Sequence, residues 1–522
     1  MSRADFRLGI DVGGTNTDAV LLDDDLSVRT KCKSPTTADV VSGIISAISL
    51  ALDTAGLDPA RVGHVMVSTT LATNALLQRR NLLRVAQLRI GAPATTALRL
   101  LCDWPEDLRA STVGAALIAP GGFETDGTEI GVFDDDLIRR FAEDAAATCD
   151  AFAVTGVFSP HFPDQELRAR EIIREVAGEI PISLSHEIGS LGLVDRESAA
   201  ALNAALAGVA AELVRSVEAA LRASGVACDT YVVQNDGTLM SGDVATRYPV
   251  LSIGSGPASS IVGAQHLAGI DEAIVVDVGG TSTDIGVLVG GRPRSSVAGA
   301  SVGGVRANFR MPDVISIGLG GGSVIHGRGA GTRVGPHSVG AALKDRAVVF
   351  GGDTLTMTDA AVWARRMRLG HAAGLASHQR ELRWAMAEAT RLLRTAVGRF
   401  HIAGEQTSVA VVVGGASELF DEKDFDLELL RPEHFESANA VGAAVARVSR
   451  EVDLVTHASG PERERAVADA HRAAIDYALA AGADPRETSV IAVEETPLAY
   501  AADGAVRLRV RAAGPIARAS SR

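Results

Sequence analysis

Two copies of one short phrase carry the most chemistry in this chain. Leu8-Gly9-Ile10-Asp11-Val12-Gly13-Gly14-Thr15-Asn16-Thr17-Asp18 lies near the start, and Ile274-Val275-Val276-Asp277-Val278-Gly279-Gly280-Thr281-Ser282-Thr283-Asp284 repeats it, with seven of eleven residues identical. Each copy reads as a buried β-branched strand, an Asp, a diglycine turn, and hydroxyl residues that begin a returning strand. Paired glycines let backbone N–H groups approach an anion where a Cβ would collide. Thr15, Thr17, Thr281, Ser282 and Thr283, with Asn16 in the same turn, add hydrogen bonds without adding charge. Asp11 and Asp277 repel phosphate directly, but each can hold Mg²⁺, usually through water, and the metal bridges to phosphate. Two such cradles facing across a cleft would grip a nucleoside di- or triphosphate. A lone Asp-x-Gly-Gly-Thr is equally an ordinary hairpin turn, with the Asp as its cap; the internal duplication favours the cradle. Asp18 and Asp284, at the far end of each phrase, read either as general bases or as solvated strand-edge carboxylates.

These turns need a scaffold larger than one core. At 522 residues two or more domains are expected. With 47% apolar but only 4% aromatic residues, the cores must be built mainly from Ala, Val, Leu and Ile. A formal charge of −14 argues against a nucleic-acid surface. No Gly-Lys-Ser/Thr occurs, which excludes a Walker-type phosphate loop. Cys32, Cys102, Cys149 and Cys228 are scattered without a C-x-x-C, as expected of reduced thiols in a cytoplasmic protein. The early apolar stretch Val40 to Leu52 is interrupted by Ser42, Gly43, Ser46 and Ser49, so it reads as an amphipathic helix; neither a signal segment nor a membrane span is expected.

The patterning predicts strands over 6–12, 17–22 and 27–33, a helix over 38–55 and a strand over 62–68. It predicts the same opening again in strands 273–278, 283–289 and 293–298. Between the copies, residues 80–185 alternate strand and helix patterns, and an Ala-rich helix runs from an Asp195 N-cap to a stop at Gly225. Val409 to Val413 reads as a buried strand leading into Gly414-Gly415-Ala416, and Asn439 to Arg447 as a tightly packing helix. The tail predicts a helix over 462–481, a strand over 489–493 and a hairpin about Asp503-Gly504. The expected divisions are 1–79 for the start of a first lobe, 80–194 for an α/β insertion, 195–460 for a second lobe and 461–522 for a terminal helix and hairpin on the core.

In this order the phrases resemble the actin/Hsp70/sugar-kinase superfamily. More narrowly, the chain resembles the A-type subunit of the ATP-dependent hydantoinase/5-oxoprolinase family, in a short form. Supporting segments are Ser68 to Leu76, Leu184 to Glu187, Gln234 to Gly237, Gly254 to Ala258, Ile317 to Ser323, Val334 to Pro336 and Thr356 to Ala360. Ser68 stands where relatives commonly have Gly, and Ala341 to Gly352 replaces a usual Pro-Gly-Pro stretch. The resemblance implies an α/β fold of two related RNase H-like lobes around a nucleotide cleft. It implies ATP and Mg²⁺ as cofactors, with Asp11 and Asp277 as metal-holding catalytic residues joined by Asp18 and Asp284. Nucleotide contacts would come from Gly13, Gly14, Thr15, Asn16, Thr17, Gly279, Gly280, Thr281, Ser282 and Thr283. Gly320 and Gly321 would lie at the phosphate end, and Gly414, Gly415 and Ala416 at the adenosine end.

The implied reaction is ATP-dependent ring opening of a cyclic amide, hydantoin or lactam through phosphorylation of its carbonyl oxygen, with a B-type subunit as partner in an oligomer. A small-molecule kinase, a carboxylase subunit and an Hsp70-like reactivating factor are the alternatives. For substrate contacts the resemblance points to Ser185, His186, Glu187 and Asn235, with the insertion over the cleft as the pocket. The plainer reading of His186 and Glu187 is a surface histidine and a helix-start acid. Arg306 and Arg310 read first as partners of surface carboxylates, second as anchors for an anionic substrate.

Overall fold

In the computed structural model, the described residues are 6–14, 16–35, 40–189, 192–296, 300–402, 408–457, 459–498 and 505–517. Both copies of the phrase fold as the β-branched pattern predicts. Phe6–Val12 and Asn16–Leu22 form an antiparallel hairpin in which Asp11 faces Asp18. Ala273–Val278 and Thr283–Val289 repeat it with Asp277 facing Asp284. Each hairpin is flanked by a parallel strand, Val62–Thr69 in the first half and Val409–Val413 in the second. The third strands differ. Val28–Pro35 is one continuous partner of its hairpin. In the second half the expected strand over 293–298 is reduced to Arg292–Pro293, residues 297–298 lie outside the described residues, and Val314–Ile317 supplies the rest of the pairing.

The first sheet has nine strands. From the hairpin it continues through Val62–Thr69, Asp229–Val233 and Leu239–Ser241 to the C-terminal strands Val448–His457, Ala505–Gly514 and Ser489–Pro497. The boundary expected at residue 195 therefore does not follow the sheets, because 229–241 pairs with the first lobe. The tail does not simply rest on the core either: its strands extend that same sheet. The second sheet holds Ala273–Val278, Thr283–Val289, Val409–Val413 and Glu428–Leu430. The insertion is a separate parallel sheet of Val113–Pro120, Val85–Ala92, Ala151–Gly156 and Ile182–Leu184.

Helices fill the layers. Ile44 and Ile48 of Val40–Ala55 pack with Leu213, Val217 and Leu221 of Leu193–Ala223 on one face of the first sheet. The N-terminal half of the long helix, Ala199 to Leu206, packs instead with Val85, Ala151 and Ala153 of the insertion. By length and composition Leu193–Ala223 would pass as a membrane span, but 67% of its apolar window is buried. It is the spine that fixes the insertion to the first lobe.

Ser255–Ala268 and Ala438–Val445 lie between the two main sheets, contacting Val275, Val411 and Val413 on one side and Val20 and Leu22 on the other. They cross at glycine: a Cβ on Gly263 would sit 1.9 Å from the Ala438 carbonyl, and one on Gly442 would sit 1.9 Å from that of Ser259. Only two bare backbones can approach this closely. The crossing brings one side chain of each helix to the two aspartates.

Candidate nucleotide and substrate sites

Asp11 and Asp277 stand one residue from the ends of Phe6–Val12 and Ala273–Val278, in different sheets, and are linked through the crossed helices. Asn439 Nδ2 donates to Asp11 Oδ2 at 3.4 Å. Ser260 Oγ contacts both Asn439 Oδ1 and Asp277 Oδ2 at short range. Burial, and then the charge of Asp18, push the Asp11 carboxyl up to about 7, with Asp277 adding to the rise. Burial also raises Asp277, against the hydrogen bonds from Ser260 and Asn439. On the paired strand the Ser68 hydroxyl, with the Asn439 amide, holds the Asp11 carboxyl back from a larger rise. A buried and a half-buried carboxylate linked through Asn439 and Ser260 could hold a cation. Mg²⁺ fits these residues.

The turns above the pair expose bare backbone. Gly14, Gly280 and Gly415 are exposed. A Cβ on Gly280 or Gly415 would meet nothing within 4 Å, and one on Gly14 only the Asn74 amide at 3.8 Å. Gly13 and Gly279 close the two turns identically, donating to the carbonyls of Asn16 (3.1 Å) and Ser282 (2.9 Å). Gly414 must be glycine: its φ is +90°, and a Cβ there would lie 2.2 Å from Asp277 Oδ1. Ala416 ties this turn to the second phrase through its N–H to the Val278 carbonyl, 2.8 Å. Thr281 is exposed beside the turn, whereas Ser282 and Asn16 are half-buried. Thr15 lies outside the described residues.

Three expected phosphate contacts have other work. Gly320 N–H donates to Ser323 Oγ at 2.8 Å, and Gly321 N–H to the Gly279 carbonyl at 3.0 Å. With Gly322 bonded to the Gly280 carbonyl at 2.7 Å, this segment braces the second turn from behind, and its amides are not free for phosphate. Thr283 is fully buried, its hydroxyl donated to the Leu319 carbonyl. Thr17 is likewise buried in its strand. The far aspartates are not solvated edges. Lys33 Nζ lies 2.6 Å from Asp18, opposing the rise that burial causes. Asp284 accepts from the Ser316 hydroxyl, yet burial takes it up to about 6.

A second site lies where the strand Asp229–Val233 ends and the C-terminal strand Val448–His457 begins. It is a cleft of about 380 Å³ that takes in His186, Glu187 and Asn235. Its walls come from the insertion and, unexpectedly, from Ser449 to Asp453 and Arg507 to Arg511 of the C-terminal strands. The pocket is therefore not the insertion's alone. Ser185 is fully buried beneath it and donates to Glu166 Oε1 at 2.5 Å while accepting from Arg196 Nε at 2.8 Å. It supports the site and does not line it.

Sequence reasoning missed Glu166. Fully buried, it accepts from the His186 backbone at 3.1 Å and sits 2.6 Å from His186 Nδ1. Burial works against its charge, but His186 and Arg196 outweigh burial and lower its pKa. The signal was its spacing with Ala169, Ile172 and Ile173, which puts an acid on the buried face of the helix Asp164–Ala177. The arginines were missed too, although Arg507, Arg509 and Arg511 alternate with apolar residues and so share one face of a strand. Glu187 is held by Arg247 (2.7 Å), Arg170 (3.3 Å) and the Tyr248 hydroxyl (3.1 Å).

A family model for the hydantoinase/oxoprolinase N-terminal region matches residues 7–177, and one for hydantoinase/oxoprolinase matches 196–373. The chain belongs to the hydantoinase/oxoprolinase family. It is 28% identical over 486 residues to caprolactamase subunit alpha of Pseudomonas jessenii, covering 86% of this chain and 67% of that one. It is 29% identical over 390 residues to acetophenone carboxylase gamma subunit of Aromatoleum aromaticum, covering 68% and 52%. The chain thus spans about two thirds of the one relative and half of the other. Among solved structures, ATP-dependent caprolactamase from P. jessenii superposes with a TM-score of 0.76 at 22% identity, covering 97% of this chain and 87% of that one. Nucleotide-free acetone carboxylase gives 0.73 at 18%, covering 99% and 89%. These likenesses fix the fold of two related lobes with an inserted α/β unit.

Proposed function

We propose that this member of the hydantoinase/oxoprolinase family couples ATP hydrolysis to opening of a cyclic amide. The observation that carries the reading is the convergence of Asp11 and Asp277 through Asn439 and Ser260. The caprolactamase likeness supports a lactam as the substrate class. A lactam carbonyl is a poor electrophile. Attack of its oxygen on the terminal phosphorus of ATP, with ADP leaving, converts that oxygen into a leaving group. Water then adds to the carbon, the C–N bond breaks with a proton passing to the leaving nitrogen, and a second water releases phosphate from the acyl phosphate that remains, so that lactam, ATP and two waters give amino acid, ADP and phosphate.

Asp11 and Asp277 would hold Mg²⁺, which when bound neutralises phosphate charge. The exposed backbones of Gly14, Gly280 and Gly415 leave room for the nucleotide. Asn439 and Ser260 hold the two carboxylates in fixed relation. With ionised Glu166 accepting from His186 Nδ1–H, the remaining ring nitrogen, Nε2, is left to take a proton as water adds. A B-type subunit is proposed to complete the enzyme.

The likeness to acetophenone carboxylase favours a second reading, in which an enolisable ketone is activated and carboxylated. Purified chain, alone and with its B-type subunit, is incubated with ATP and bicarbonate and with panels of lactams and ketones. Phosphate release matched by ring-opened amino acid supports the first reading. Carboxylated product with no ring opening supports the second. A stable phosphorylated small molecule contradicts both.

A further inference from the structure

The segment Ser68 to Asn74 brings four hydroxyls and one amide to the first diglycine turn. The strand Val62–Thr69 runs beside Phe6–Val12 with Thr69 level with Val12, and the Thr70 N–H donates to the Val12 carbonyl at 3.4 Å. The helix Leu71–Gln78 therefore starts where the first phrase turns.

The hydroxyls have work within the fold. Ser68 faces the Asp11 carboxyl. Thr69 Oγ1 accepts from the Leu71 N–H at 3.1 Å, Thr73 Oγ1 from the Gly254 N–H at 3.2 Å and Thr70 Oγ1 from Asn74 Nδ2 at 3.2 Å. That last bond spends one of the two N–H groups of the amide. Among the described residues the other has no acceptor. Asn74 is half-buried, and Thr70 fixes where its amide lies. It lies beside the turn: a Cβ on the exposed Gly14 would meet Asn74 Nδ2, at 3.8 Å, and nothing else within 4 Å. An anion resting on the Gly14 backbone comes within reach of that N–H.

Ala416 ties the adenosine turn to the second phrase through the Val278 carbonyl, 2.8 Å away. With adenosine on that side, the phosphate chain runs toward Gly14 and its last member lies nearest Asn74. We propose that Asn74 Nδ2 donates to the terminal phosphate of ATP and is the side chain by which this site tells ATP from ADP. The proposal rests on reading the cleft between the phrases as the nucleotide site. A neutral donor held in place by Thr70 answers phosphate charge without setting a further cation beside the aspartates.

The test is titration calorimetry on the full chain at pH 8 with Mg·ADP and with Mg·adenylyl imidodiphosphate, a triphosphate that is not hydrolysed. Asn74→Ala should weaken the triphosphate by about 10-fold and leave ADP within about two-fold. Asn74→Asp keeps the shape but puts a negative charge where the donor was, so it should lose more than Asn74→Ala. A residue that only packs would give the opposite order, because the aspartate fills the same space. The melting temperature of each variant serves as the check of folding. Equal losses for both nucleotides, an unchanged triphosphate affinity in Asn74→Ala, or a milder effect of Asn74→Asp than of Asn74→Ala would overturn the proposal. If the native chain binds both nucleotides and the variants match it, the nucleotide reading stands and this assignment alone fails. If the native chain binds neither, both fail together.

Discussion

The two phosphate phrases share a register but not a support. In the first, Asp18 is answered by a cation, Lys33, and among the described residues no glycine segment stands behind Gly13 and Gly14. In the second, Asp284 accepts from the Ser316 hydroxyl, while the Gly321 and Gly322 N–H groups bond the carbonyls of Gly279 and Gly280. The first lobe stabilises its phrase with charge, the second with backbone contact. Duplication therefore preserved what faces the cleft and let the reverse side diverge. On the proposed function, the diglycine turns and paired aspartates answer to the nucleotide, and the support behind them answers only to local packing.

The largest test of this comparison removes either metal-facing carboxylate. Asp11→Asn and Asp277→Asn should each cut ATP turnover by ~10³-fold or more with the fold retained, measured by steady-state phosphate release and circular dichroism. Asp11 also carries a signed pH effect. Its folded-state value of about 7 lies above the ordinary carboxyl value near 4. The unfolded chain therefore ionises first, and stability falls as pH rises between those two values. Asp11→Asn should recover up to roughly 4 kcal/mol at pH 8 and nothing below pH 4, by chemical denaturation at both ends of the range.

Next in size is the brace. A Cβ on Gly320 would stand 2.6 Å from the Gly279 carbonyl. Gly320→Ala should weaken Mg·ADP binding by about 10-fold and lower the melting temperature, because the second turn must shift. Gly14→Ala, which meets no backbone, should leave the melting temperature unchanged. Equal thermal losses would show that the two turns are supported alike. The smallest effect concerns charge. Lys33→Met removes the cation beside Asp18 and should raise the pH midpoint of nucleotide binding by less than about one unit. Ser316→Ala, which strips the hydroxyl from Asp284, should move its carboxyl above the present value of about 6, as read by carboxyl titration in nuclear magnetic resonance.

Much of this was legible in the chain. The doubled phrase gave both hairpins because β-branched runs broken by Gly-Gly have few other ways to fold. Asp11, Asp277, Gly14 and Gly280 were singled out by type and spacing, and Gly415 by the family resemblance. What was not legible depends on contacts between distant segments. Asn439 and Ser260 sit on two helices whose meeting is set by Gly263 and Gly442 in three dimensions. Gly320 and Gly321 looked like an anion loop because bare amides look the same whether a phosphate or a carbonyl occupies them. The strand Val448–His457 was missed because Glu451, Asp453 and Arg450 interrupt its apolar pattern, and those charges are the cleft wall.

The central claim is that both phrases serve one metal-bound nucleotide. Titration calorimetry of Mg·ADP should give one site per chain in the native protein, affinity that rises with pH through about 7 as Asp11 ionises, and loss of binding in either Asp11→Asn or Asp277→Asn. Two independent sites, or full binding retained when either aspartate is replaced, would contradict it.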